Sequence, residues 1–264
     1  MESSPYQPST GVPVPLQPHA KPYTHDGGPV GVVLSHGFTG SPKSMRPWGQ
    51  YLAEQGLTIR VPRLPGHGTR WQDMNATTWE DWYSEIDRSF EELSRRCETV
   101  FACGLSMGGT LALRLAEVKR DRLAGLVVVN PAVHSERPDR FLLPVLHYFV
   151  GAFPGISNDI KKPGQDEGAY PKLPLKAAHS LTKLWGRVKA DITNVDQPLL
   201  LFRSVDDHVV EPSNSAWILA NVASTDTEEV VLTDSFHVAT LDNEADTIFE
   251  SSLDFIQRVA ASHR

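Results

Sequence analysis

The stretch Val100 to Lys119, Val-Phe-Ala-Cys-Gly-Leu-Ser-Met-Gly-Gly-Thr-Leu-Ala-Leu-Arg-Leu-Ala-Glu-Val-Lys, decides the fold. It opens on an apolar run of strand type, Val100 to Cys103, and closes on a helical run, Thr110 to Lys119. Between them, Gly104 to Gly109 places Ser106 at G-x-S-x-G spacing, the pattern of a strand-to-helix turn that presents a nucleophilic serine. The reason is steric: the strand must reverse into a helix within one or two residues, and Gly104 and Gly108 carry no Cβ to collide there. Ser106 is pushed out at the tip. Met107 opens the helix, so its N–H has no intrahelical acceptor and is free to donate to a developing oxyanion. A dinucleotide loop would need glycine where Ser106 stands. A plain glycine-rich turn can carry the same letters, so the rest of the chain must supply partners.

Upstream, Val30 to Ser35 is a continuous apolar run of strand length, as expected of a strand covered on both faces in a parallel sheet. It runs into His36-Gly37-Phe38-Thr39-Gly40, where the Phe38 amide is the candidate for a second oxyanion donor. Met45 to Gln55 reads as an amphipathic helix and Leu57 to Val61 as the next strand. His67, in the turn-dense Arg63 to Thr69 loop, has no context of a catalytic base or a metal ligand and reads as structural. Trp79, Trp82, Ile86, Phe90 and Leu93 recur at helical spacing behind a capping Thr77 or Thr78, a stripe that packs on a sheet.

Downstream, Gly125 to Asn130 is a further strand, after which strand-helix alternation stops until Pro198. Residues 131–195 therefore read as a cap inserted over the strand ends, dividing the core into 29–130 and 196–264. Within it Phe141, Leu142, Leu143, Leu146, Phe149 and Ile156 are expected to line part of an apolar pocket. Leu199 to Phe202 is the next strand, followed by Asp206 and Asp207; the D-x-V-V-x-P frame selects Asp207 as the carboxylate that would orient a histidine. Glu229 to Leu232 is the last strand, and His237 comes between it and a helix spanning Asp242 to Val259. The order Ser106, Asp207, His237 is that of a serine nucleophile, its acid and its base on an α/β scaffold.

Composition bounds the alternatives. A chain of 264 residues, 40% hydrophobic, suits one domain with an insertion. A formal charge of −7 with no basic run disfavours nucleic acid and anionic membranes as partners. Cys97 and Cys103 lie in no metal or C-x-x-C spacing and read as structural thiols of a reducing compartment. No secretory leader or apolar span is legible, so a cytoplasmic location without stable membrane insertion is expected. Residues 1–28, rich in proline, read as an extended leader, with a weakly signalled strand near Pro22 to Thr24.

Together His36 to Gly40, Ser44-Met45-Arg46-Pro47, Pro62 to Thr69, Gly104 to Thr110, Asp207 to Val210 and His237 to Asp242 resemble the bacterial monoacylglycerol lipases and carboxylesterases of the α/β-hydrolase superfamily. The resemblance runs from about Lys21 to the C-terminus. It implies an α/β-hydrolase fold, a mostly parallel sheet flanked by helices with a helical cap. It also implies hydrolysis of monoacylglycerols or similar short to medium acyl esters, with no cofactor or metal; a monomer or homodimer is expected. Carried over by motif, Ser106 is the nucleophile, His237 the base, Asp207 its partner, and the Phe38 and Met107 amides the oxyanion hole. Asp159 to Pro163 and Glu167 to Tyr170 resemble the family stretch in which a glutamate faces the glycerol end, which makes Glu167 the candidate contact there; Pro131 to Pro154 matches poorly. A general carboxylesterase or a thioesterase would use the same triad. A cofactor-free haloperoxidase or a carbon-carbon hydrolase shares the fold without a residue here that signals either. A non-catalytic ligand-binding receptor is the alternative from another class.

Overall fold

The structure, a computed structural model, describes residues 14–262. Its main sheet is built from β1 (Tyr23–His25), β2 (Val30–Ser35), β3 (Thr58–Val61), β4 (Thr99–Leu105), β5 (Gly125–Val129), β8 (Leu199–Ser204) and β9 (Thr227–Leu232). In space the order is β1-β3-β2-β4-β5-β8-β9, and every neighbouring pair is parallel except β1 with β3. Parallel pairing demands a crossover on one face or the other, so both faces of the sheet's centre are covered and β2, β4 and β5 are buried almost throughout, whereas the edge strand β9 exposes Thr227, Glu228 and Glu229.

Side chains sort by alternation. Val33, Val100, Ala102, Leu126, Val128, Leu199 and Leu201 face one core, with α3 (Trp79–Ser94), α4 (Met107–Lys119) and α6 (Leu175–Asp191). Val32, Leu34, Phe101, Cys103, Val127, Val129 and Phe202 face the other, with α1 (Arg46–Glu54) and α8 (Ala245–Ser262). The tryptophan stripe behaves as its spacing requires: Trp82, Ile86, Phe90 and Leu93 are buried against the sheet. Thr78, not Thr77, caps that helix, in a reciprocal box with Asp81, while the Thr77 hydroxyl accepts Trp82 Nε1–H at 3.0 Å. Cys103 is buried on the sheet face, where burial pushes its thiol up. No helix among the described residues is long and apolar enough to cross a membrane.

Two boundaries differ from the sequence reading. The proline-rich segment does not stay outside the domain to residue 28, because β1 pairs antiparallel with β3 (Tyr23↔Val61 to His25↔Ile59) and Ala20 is fully buried. Residues 1–13 lie outside the described part. The segment between β5 and β8 contains the short α5 (Leu143–Leu146), a two-stranded hairpin of β6 (Ala152–Pro154) with β7 (Lys172–Pro174), and α6. The last of these packs on α3 and α4 through Leu181, Leu184 and Val188 and supplies the crossover that the parallel β5–β8 pair requires. Only the part before α6 is thus free to stand over the strand ends. The remaining helices are the short α2 (Trp71–Met74) and α7 (Ser213–Asn221).

Candidate active site

The sequence-predicted residues converge at the C-terminal ends of the parallel strands, the place where open α/β sheets present their sites. Ser106 sits between β4 and α4 with φ 56° and ψ −118°, a conformation that costs a non-glycine residue energy and is held by its surroundings. Its N–H donates to Val129 O at 2.9 Å and its carbonyl accepts from Thr110 N at 3.2 Å. The glycines earn their places by close approach: a Cβ on Gly104 would fall on the Gly108 carbonyl group, and one on Gly108 on the Ser35 carbonyl oxygen. Gly37 brings the loop after β2 against Ser106, its would-be Cβ lying 3.4 Å from Ser106 Cβ.

That loop is clamped from below. Leu64 N–H donates to His36 Nε2 at 3.2 Å, so this nitrogen is unprotonated and Nδ1–H donates to Gly37 O at 3.0 Å. Burial, with His67 beside it, holds His36 neutral, well below the ordinary imidazole range. His67 is likewise structural: it is fully buried, edge-on to Trp82, bonded through Nδ1 to Pro65 O, and pushed down to about 4 by burial. Among the described residues the Phe38 and Met107 amides have no protein acceptor in the turns and loops. Phe38 lines the cavity beside Ser106, while the Met107 side chain is buried in the core and leaves only its backbone near the turn.

Of the two aspartates after β8, Asp207 turns inward and Asp206 is exposed. Asp207 Oδ2 lies 2.7 Å from His237 Nδ1, and its Oδ1 accepts the Val209 and Val210 amides at 2.8 Å each. Burial pushes this carboxyl up, but the facing His237 and the two amides outweigh it and hold it below the usual carboxylate value. On His237 burial acts downward, and Asp207, with smaller help from Glu167 and Asp159, reverses it, so the imidazole is raised above 6.5. Both His237 and Ser106 line one cavity of about 300 Å³.

Glu167 reaches the polar end of this cavity, its Oε2 3.6 Å from where a Cβ on Gly40 would be. It is locked to Asn158 reciprocally, accepting Asn158 N–H at 3.1 Å and donating its own N–H to Asn158 Oδ1 at 2.9 Å. Burial pushes the Glu167 carboxyl up against the pull of that amide and of His237. Ile156, 53% exposed, stands at the rim. The apolar wall departs from the sequence reading. Leu143, Leu146 and Ile156 line the cavity, but Phe141, Leu142 and Phe149 do not and are 59–83% exposed. With α5 only one turn long, its two faces cannot both be inward. Leu181 and Trp185 of α6 complete the wall instead; their helical spacing alone reads as ordinary core.

Several supporting residues have no role that the sequence pattern alone assigns. Asn130, at φ 45° after β5, donates to His237 O at 2.8 Å and Ser204 Oγ at 3.0 Å and accepts Ser204 N–H at 2.7 Å. Asp159 and Asp242 bind the amides around His237. Tyr170 ties the insertion to the floor, its N–H donating to Thr39 O at 3.1 Å and its hydroxyl to Gly66 O at 2.9 Å.

The model of the serine aminopeptidase S33 family (Hydrolase_4) matches residues 30–244. The chain is 41% identical over 253 residues to a thermostable monoacylglycerol lipase of Bacillus sp. (strain H-257), covering 93% of this chain and 98% of that protein. It is 30% identical over 248 residues to a carboxylesterase of Bacillus subtilis (strain 168), covering 90% and 97%. Among solved structures, one from the work on LipS and LipT, two metagenome-derived lipolytic enzymes, superposes with a TM-score of 0.90 at 40% identity, covering 92% of this chain and all of the other. Sheet order, strand-end site and sequence agree, and the chain belongs to the serine aminopeptidase S33 family of the α/β-hydrolase superfamily.

Proposed function

We propose that the protein is a serine hydrolase of carboxylic esters whose preferred substrates are monoacylglycerols of short to medium chain, cleaved through an acyl-enzyme on Ser106. The observation that carries this reading is the 2.7 Å His237–Asp207 pair, buried beside a cavity that Ser106 also lines. The named activities of the two Bacillus relatives support it.

In this mechanism Ser106 Oγ attacks the ester carbonyl while His237 Nε2 takes its proton. Asp207 keeps the other proton on Nδ1 and stabilises the imidazolium. The Phe38 and Met107 amides hold the oxyanion. Glycerol leaves with the proton from His237, and water then repeats the cycle on the acyl-enzyme. Residues 131–174 serve as the cap, whose apolar wall takes the acyl chain, and Glu167 accepts a hydroxyl of the glycerol end. Hydrolysis requires neutral His237, so kcat/KM falls as pH drops through a value above 6.5, set by the raised imidazole.

The test is steady-state hydrolysis of 1-lauroylglycerol, dilauroylglycerol, trilauroylglycerol, lauroyl-CoA and an aminoacyl-p-nitroanilide. Monoacylglycerol is expected to be turned over fastest. Preference for the thioester or the anilide would reassign the substrate class while leaving the nucleophile in place. Glu167→Ala is expected to raise KM for 1-lauroylglycerol about tenfold, the worth of one hydrogen bond to a charged group, and to leave KM for ethyl laurate unchanged. Equal effects on both esters would remove Glu167 from the glycerol contact.

A further inference from the structure

Resting on the hydrolase reading above, we propose that Asp159, on the segment between β6 and β7, is a positioning residue for His237 that makes the base competent only while the insertion is docked. Three consecutive amides carry the histidine loop, and none is satisfied within the loop's own turn. Phe236 N–H donates to Asp242 Oδ2 at 2.8 Å, His237 N–H to Asp159 Oδ2 at 3.1 Å, and Val238 N–H to the Asp159 carbonyl at 3.0 Å. Two of the three acceptors thus belong to one residue of the insertion. The same carboxylate receives the acid loop, with His208 N–H at 3.2 Å and His208 Nδ1 at 2.8 Å. Asp159 therefore spans the loops that carry both Asp207 and His237.

The attachment is reciprocal. Asp242, 1% exposed on the core side, accepts the Lys161 and Lys162 amides at 2.8 Å each. An insertion carboxylate holds core amides, and a core carboxylate holds insertion amides two residues away. The His237 backbone consequently has one anchor on each body: its carbonyl is held by Asn130 of the core and its N–H by Asp159 of the insertion. Undocking the 158–162 segment removes the second anchor and strands two amides, so the imidazole is no longer held in one orientation toward Ser106.

Charge gives a readout that packing alone would not. The carboxylates that face His237 are Asp207, Glu167 and Asp159, and each favours its protonated form. Around Asp159 itself stand His208 and, next along the chain, Lys161, whose Nζ is drawn away to Asp234 at 2.9 Å, and Lys162. Replacing Asp159 by asparagine keeps an acceptor oxygen for the amides and deletes the charge; alanine deletes both.

The experiment compares full-length wild type, Asp159→Asn and Asp159→Ala with Ser106→Ala as background, using 1-lauroylglycerol between pH 5 and 9. Active sites are counted by fluorophosphonate labelling. Asp159→Ala is expected to lower kcat per labelled site roughly tenfold with little change in KM, a loss of orientation and not of binding. Asp159→Asn is expected to recover most of kcat at high pH, and in both variants the acid limb moves to lower pH as one negative charge is lost. Unmoved limbs, or a kcat per labelled site of Asp159→Ala equal to wild type, would overturn the proposal. Should the alanine variant fail to fold, the limb of the asparagine variant decides alone. An active but Ser106-independent wild type would overturn the hydrolase reading and the proposal with it, an outcome distinct from unshifted variants on a Ser106-dependent background.

Discussion

Ser106→Ala is expected to abolish ester hydrolysis, lowering kcat about 10⁵- to 10⁶-fold, with the folded structure intact. The residual rate would come from the Phe38 and Met107 amides acting on bound ester, since donors preorganised toward an oxyanion work even without the attacking group. The fold has no stake in the hydroxyl: the elbow is held by the backbone bonds of Ser106 to Val129 and Thr110 and by the glycine contacts at Gly104 and Gly108. Alanine at the left-handed φ of 56° bears the same strain as serine, so the thermal midpoint should stay within a few degrees of wild type. Steady-state kinetics with thermal unfolding on the same preparation checks both halves. Retained activity would place the nucleophile elsewhere.

A loss of about 10⁴-fold in kcat near neutral pH is expected from Asp207→Asn. The carboxylate accepts His237 Nδ1–H at 2.7 Å and is itself held by the Val209 and Val210 amides, so an asparagine would sit in the same place. Those two amides claim its oxygen, which turns the amide nitrogen, a donor, toward His237 Nδ1. The imidazole then carries its proton on Nε2 and cannot accept the one on Ser106. The variant also loses the largest influence raising the imidazole, so its acid limb should move to lower pH while the plateau collapses. A pH-rate profile separates these effects, and a plateau within tenfold of wild type would remove Asp207 from the reaction.

Much of this architecture was legible in the order of residues. The buried parallel strands announce themselves as continuous apolar runs because both sheet faces are covered, and Gly104 and Gly108 mark the elbow because backbone must pass where a Cβ would be. The framing of Asp207 by Val209 and Val210 distinguishes it from Asp206 for a physical reason now visible, since both valine amides bind its Oδ1. What stayed illegible depends on contacts between distant segments. Leu142 and Leu143 are alike in sequence, and only the packing of a one-turn helix against α6 sends one outward and the other to the cavity. Tyr23 to His25 signals only weakly as a strand because it pairs through backbone, and α6 reads as cap until its face is seen against α3 and α4. Asn130 and Asp159 work by accepting and donating across loops, and no periodicity marks that.

The site hangs from the ends of β2, β4, β5, β8 and β9, each in register with its neighbour, and Thr240 near His237 reaches back to the Ser44 carbonyl at 2.7 Å. Such a centre has no local nucleus. During refolding, secondary structure and collapse can run far ahead while Ser106, His237 and the Phe38 and Met107 amides are still on unpaired strands. Loop-closure entropy makes the most distant pairings the slowest to form. Regained catalysis therefore clocks the last step of sheet assembly, whereas helical ellipticity clocks the first.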